Sequence, residues 1–289
     1  MPTFILISGY FAKNFRKEGH YKKLIIKLLV PYVLFEVFYS LFISLIYDKK
    51  LDLSMSTPYW LMWFLLSLFC WHIMLYFISK FQYSSVISIL IAVLAGYFDN
   101  FDKEFSLLRT FTFFPFFLAG FLLKKEHFEY LKSLPVKLMS LVFLSGLFIY
   151  IHFSHNISFR WLWASRPYSY YGFEGIEAAC FRLFYFLVMF IACTAFLSLV
   201  TSKKTFFSNL GIYTLYTYLL HGFFVRFFIY KKPILNKIDS LGDFALIIGF
   251  ALLLCFLTTL PFVRKITSVL IEPYSLVAAL RKKKINKPL

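Results

Sequence analysis

Negative charge is scarce in this sequence. Its 289 residues hold 14 Asp and Glu against 31 Lys and Arg, and only 16% of the chain is charged, where soluble domains carry about 25%. The shortage excludes an ordinary soluble domain. The net charge of +17 does not indicate nucleic-acid binding either, because the basic residues are scattered through short connections instead of gathered on one polar surface. Cysteine is also sparse: Cys70, Cys180, Cys193 and Cys255 lie in apolar runs with no C-x-x-C pair. Neither a disulfide framework nor a zinc site is supported. His152 and His155 form an H-x-x-H pair without a third ligand, so no metal is expected. Glycine-rich phosphate loops, G-x-S-x-G elbows and H-x-x-x-x-D motifs are missing too, which removes the usual nucleotide-binding and soluble-hydrolase readings. No repeat or low-complexity linker marks a second domain.

What the chain has in abundance is apolar surface: 60% hydrophobic and 22% aromatic residues, with a mean hydropathy of +0.72. Apolar stretches recur near 24 to 47, 59 to 79, 83 to 98, 105 to 123, 136 to 153, 177 to 200, 211 to 230 and 241 to 262. The expected fold class is all-α, a polytopic integral membrane helix bundle forming one domain over 1–289. It has about eight full spans, an N-terminal half-span and a C-terminal interfacial helix. The half-span is MPTFILISGYFA: Pro2 to Ala12 covers roughly 17 Å as a helix, against about 30 Å of hydrocarbon. Its positive charge follows the apolar run, opposite to a signal peptide. The final stretch, ITSVLIEPYSLVAAL, is interrupted by Glu272 and Pro273 and precedes RKKK, which suits an amphipathic helix with a basic anchor.

Most Lys and Arg fall in alternate connections, so the segment 13 to 23 and the C-terminus are expected on the cytoplasmic side of the cell membrane. Charges within spans are costly and mark candidate sites. Here they are Lys27 and Glu36 in the first full span, Arg109 in the fourth, Arg182 in the sixth, and Arg226 in the seventh; His72 and His221 are mid-span histidines. Arg109, Arg182 and Arg226 stand at similar depth, where they either line one outer cavity or snorkel to headgroups. Glu36 is expected to pair with an Arg or His, the other reading being a proton-relay role. In YTLYTYLLHGFF, Thr214, Thr217, Tyr218 and His221 share one helical face that should point inward. The outer loop SFRWLWASRPYSYYGFEG is read in two ways: an interfacial aromatic belt, or a carbohydrate-binding platform in which Arg160, Trp161, Trp163 and Arg166, with Arg182, bind substrate.

Several stretches together resemble the acyltransferase-3 superfamily of integral membrane acyltransferases, most nearly its fucose 4-O-acetylase-like branch. MPTFILISGYF resembles that family's "HMPLFFFISGYF", and KKLIIKLLVPYVLFE its basic segment and "LLIPY". TPYWLMWFLLSLFCW is similar to "WFLxxLF", SLLRTFTFFPFFLAGFLL to "R…F.PFFLLGY", and LGIYTLYTYLLHGFF to "LG..SL.IYLLH". The resemblance implies a mainly ten-helix bundle that moves an acyl group, usually acetyl from cytoplasmic acetyl-CoA, onto a hydroxyl of a cell-surface or exopolysaccharide sugar. It implies that Lys22, Lys23 and Lys27 bind the CoA phosphates, and that Arg109 and His221 are catalytic. Lysine in place of the family's frequent arginines keeps the charge and loses the planar fork. The family places a helix bearing an Arg and a general-base His ahead of "HMPLF". The sequence begins at the Met of that motif, so the domain is expected to be N-terminally incomplete. The partners expected are the lipid bilayer and a carbohydrate acceptor. The alternatives are an exporter or flippase subunit for a polysaccharide or lipid-linked sugar, and an inactive truncated relic.

Overall fold

The computed structural model describes residues 1–48, 50–102, 104–153, 160–231 and 240–273. In chain order its helices are α1 (Pro2–Phe11), α2 (His20–Leu24), α3 (Val30–Tyr47), α4 (Trp63–Ile78), α5 (Ser84–Leu94), α6 (Leu107–Leu122), α7 (Lys125–Leu131), α8 (Leu134–Phe153), α9 (Arg160–Trp163), α10 (Ile176–Leu199), α11 (Phe206–Gly211), α12 (Thr214–Lys231), α13 (Leu241–Thr258) and α14 (Pro261–Ile271). Among the described residues there is no strand. The all-α expectation holds, and each of the eight apolar stretches contains a helix.

The span count is a different matter. Among the described residues three continuous helices are long and apolar enough to cross a membrane: His20–Tyr47, Leu134–Phe153 and Ile176–Leu199. Two bent pairs raise the number to five, α6 with α7 at 98° and the α13 segment with α14 at 72°. The remaining apolar helices are short; α4, with 16 residues, rises only about 24 Å. Proline sets two of the boundaries. Pro261 opens α14 at its first turn and ends the span expected to reach 262. Pro58 precedes the turn from which α4 starts at Trp63, four residues later than its apolar run. Of the expected interfacial helix, α14 is the described part, and residues beyond 273 lie outside it.

The helix His20–Tyr47 widens at Ile25–Leu29 into a π turn, where the Val30 N–H donates to the Ile25 carbonyl. Pro31 accounts for it. Proline offers no N–H to the Lys27 carbonyl four residues back, and its ring crowds that carbonyl.

The chain forms two compact units, Met1–His20 with Ser67–Ser202 and Tyr21–Leu66 with Lys203–Leu289. In the first, α1 and α6 cross at two glycines. A Cβ on Gly9 would strike the Phe117 carbonyl, and one on Gly120 would strike the Leu6 carbonyl. The equal offset of three residues makes the crossing parallel and pseudo-symmetric, the close backbone approach that small residues permit between membrane helices. Ile5, Leu6, Phe114, Phe116 and Phe117 are buried around it. Ser67 shares a 2.6 Å hydrogen bond with Thr110, and the Trp71 indole donates to the Thr110 carbonyl at 2.7 Å, tying α4 to α6. At the helix ends, Lys13 donates to the Leu123 carbonyl at 2.7 Å, and Lys132 donates to the Leu197 carbonyl at 2.9 Å and to that of Val200. Cations there satisfy carbonyls that have no helical partner and oppose the negative end of the helix dipole.

In the second unit α3, α12, α13 and α14 pack together. Tyr39 stacks on Phe223 with ring centroids 4.1 Å apart and donates to the Leu219 carbonyl at 2.9 Å. A Cβ on Gly222 would collide with the Tyr39 hydroxyl, so glycine after His221 is what lets α3 close on α12.

Candidate functional site

In the first unit the segment from α9 to α10 builds an aromatic shell around one guanidinium. Arg182 has no accessible surface, and Trp161 keeps 6%. Arg182 Nε donates to the Tyr168 hydroxyl at 3.3 Å and Nη1 to the Trp161 carbonyl at 3.1 Å. Its Cζ lies 5.4 Å from the Trp161 ring centre and 5.3 Å from that of Tyr168. Ring faces and two neutral acceptors therefore hold this cation. Tyr168 donates onward to the Val93 carbonyl at 3.0 Å, and its N–H reaches the Gly96 carbonyl at 2.8 Å, which pins the loop to α5. Burial pushes the Tyr168 phenol above its ordinary range, and Arg182 pulls it back.

Beside this shell a cavity of about 260 Å³ is lined by Trp163, Ser165, Arg166 and Tyr170. Trp163 and Tyr170 are each more than half exposed. Arg166 lies 5.2 Å from the Tyr170 ring centre and is fixed by Asp102, Nη1 to Oδ2 at 2.9 Å. Of the five residues expected to bind substrate, Trp163 and Arg166 line this cavity, while Trp161 and Arg182 are buried. The Arg160 side chain lies outside the described residues. Arg109 stands half-buried at the start of α6. Ser165 and Tyr170 lie in the loop quoted from sequence without being named there, and Asp102 was missed because nothing local links a DNFD turn to a loop some sixty residues later.

His72, singled out as a mid-span histidine, has a neighbour that the sequence did not indicate: the His20 ring lies beside it, centroids 5.4 Å apart and tilted by 39°. His72 is buried, its Nδ1 2.8 Å from the Leu68 carbonyl. Among the described residues no group of three His, Cys, Asp or Glu could hold a metal ion, and His155 is not among them.

In the second unit His221 sits mid-helix in α12, its Nδ1 2.8 Å from the Thr217 carbonyl. A carbonyl oxygen only accepts, so Nδ1 carries the hydrogen, and in the neutral ring Nε2 is the acceptor. Thr217 meets Thr258 of α13 at 2.9 Å, and Tyr218 donates to the Leu61 carbonyl, so the polar face of α12 turns to its neighbours. Both Glu36 oxygens accept the Tyr59 N–H, at 2.8 and 3.1 Å. Arg226 lies over Trp60 at 4.8 Å and Tyr59 at 5.6 Å. The cation expected beside Glu36 is thus replaced, among the described residues, by a backbone donor. Lys22, Lys23 and Lys27 are exposed, the first two on α2 and the third in the π turn.

With this geometry in place, comparison with known proteins is informative. A family described as an acyltransferase domain, acyltransferase-3, matches residues 1–260. The chain belongs to the acyltransferase-3 family. Together with its long apolar helices, this makes it a membrane acyltransferase in general terms. No curated protein and no solved structure matches it.

Proposed function

We propose that this acyltransferase-3 protein is a multi-pass cell-membrane O-acyltransferase of the fucose 4-O-acetylase-like branch. It moves acetyl from cytoplasmic acetyl-CoA to a hydroxyl of a cell-surface or exopolysaccharide sugar, and its C-terminus is cytoplasmic. Family membership across residues 1–260 is the observation that carries the reading. In the transfer, the sugar oxygen forms a bond to the thioester carbonyl carbon and the carbon–sulfur bond breaks. The hydroxyl proton passes to a base, and CoA leaves as its thiol. His221, with Nδ1 held by Thr217, offers Nε2 as a base or as an acceptor that orients the hydroxyl. Arg109 supplies charge for the developing oxyanion. Lys22, Lys23 and Lys27 hold the CoA phosphates as exposed point charges. The aromatic and Arg-bearing loop from 160 to 175 binds the acceptor.

The test uses membranes carrying the protein and acetyl-CoA labelled in its acetyl group. The expected result is release of CoA thiol and label in an endogenous glycan. Thiol release no faster than in membranes without the protein, with no labelled glycan, overturns the reading.

A further inference from the structure

The cavity beside Arg166 says more about the acceptor than that it is a sugar. Its walls are two exposed ring systems, Trp163 and Tyr170, a hydroxyl from Ser165 and the Arg166 guanidinium. Pyranose C–H faces pack on such rings, and hydroxyls take hydrogen bonds from such donors. Charge then limits which sugars fit. Arg166 is matched by Asp102 at 2.9 Å, and the Asp102 side chain is 6% exposed. Asp99 accepts a hydrogen bond from Ser169, the residue before Tyr170. Arg182 is buried among Trp161 and Tyr168. Of the four residues that line the cavity, Arg166 alone carries a charge, and Asp102 neutralises it. A carboxylate or phosphate on the ligand would have to displace Asp102 or sit against it, and like charges in contact are costly.

We infer that the Trp163, Ser165, Arg166 and Tyr170 cavity, set by Asp102, is a subsite for an uncharged sugar residue of the acceptor and discriminates against uronic acids and sugar phosphates. This inference rests on the acyltransferase reading for its biological meaning, but its binding prediction stands alone. Asp102 acts here as a positioning and selectivity residue. It fixes the Arg166 fork and cancels its charge.

The full-length protein in detergent is tested on a glycan array holding neutral, uronic-acid and phosphorylated oligosaccharides of matched length. Binding to neutral glycans in preference to both charged sets is expected. Asp102→Asn keeps an oxygen to accept from Arg166 and removes the negative charge. It should raise binding to uronic-acid glycans about tenfold relative to binding of the neutral ones. Trp163→Ala, at a half-exposed position, should abolish neutral binding without lowering the unfolding temperature. Preference for charged glycans, no glycan binding at all, or an Asp102→Asn protein with unchanged preference each overturns the inference. Thiol release from acetyl-CoA is read in parallel. Neutral selectivity without thiol release removes the acyltransferase reading alone, and thiol release without neutral selectivity removes this inference alone.

Discussion

His221 and His72 make the same local bond, Nδ1 to the carbonyl four residues earlier, at 2.8 Å in both cases. Each ring is thereby locked in one tautomer and orientation, which a base requires and which a side chain packed only by its carbons does not need. His221→Ala should lower acetyl transfer about 10²-fold with the protein still inserted in the membrane, while KM for acetyl-CoA changes little. Retained activity, read as label transferred per unit of membrane protein, would make His221 a packing residue. Tyr168→Phe addresses a different function. It leaves the buried Arg182 Nε without its acceptor and removes the bond to the Val93 carbonyl, a loss of about 1–3 kcal/mol. The expected outcome is a lower unfolding temperature in detergent with glycan preference retained. The sequence marked Arg182 as a charge within a span and the His221 face as inward; Arg182 is buried, and Thr217 and Tyr218 of that face bond to neighbouring segments. It could not show that Arg182 is held by Trp161 and Tyr168 rather than by a carboxylate, because loop residues fourteen and twenty-one positions earlier have no periodic relation to a helix.

The longer helices were legible from hydropathy alone, since apolar stretches of sixteen or more residues leave few alternatives. Their pairing was not. A membrane helix that is apolar all round carries no stripe to say which face meets which neighbour, so the SGY of α1 and the AGF of α6 read as separate motifs until their backbones are seen in contact. The glycines make a contrast that can be measured. Gly9→Ala and Gly120→Ala each place a methyl group in a backbone carbonyl and should largely abolish folded protein, scored as the monodisperse fraction after detergent extraction. Gly146 in α8 meets nothing within 4 Å, and Gly146→Ala should be neutral or stabilising by up to about 1 kcal/mol. Equal behaviour of the three would dismiss the crossing as the reason for glycine.

For the molecule as a whole, charge is the dominant pattern, and the structure divides it by task. Lys13 and Lys132 are engaged with helix-end carbonyls, Arg226 with aromatic rings, and Arg166 with Asp102. A count of basic residues therefore overstates how many can meet a phosphate. Lys22, Lys23 and Lys27 are exposed, which contact with a CoA phosphate requires. Replacing all three with Gln should raise KM for acetyl-CoA about tenfold at low salt, and the difference from wild type should close toward 1 M salt, where the screening length falls to about 3 Å. A difference that persists at high salt would point to a structural effect. Sequence supplied the candidates for both ends of the transfer reaction but not their geometry, because Lys22, Lys23, Lys27 and His221 belong to one compact unit and the aromatic loop to the other.

The π turn at Ile25–Leu29 also changes how this helix tolerates length. An extra residue accommodated as a wide turn leaves the helical halves on either side in phase, whereas the same residue in a regular α-helix would rotate one half by about 100° against the other. Any face drawn from the sequence straight through Lys27 is accordingly one residue out of step, and Lys22 and Lys23 project about 100° away from where a uniform period would set them relative to Glu36 and Tyr39. It follows that this turn is the one place along His20–Tyr47 where the chain can lose a residue without turning either end.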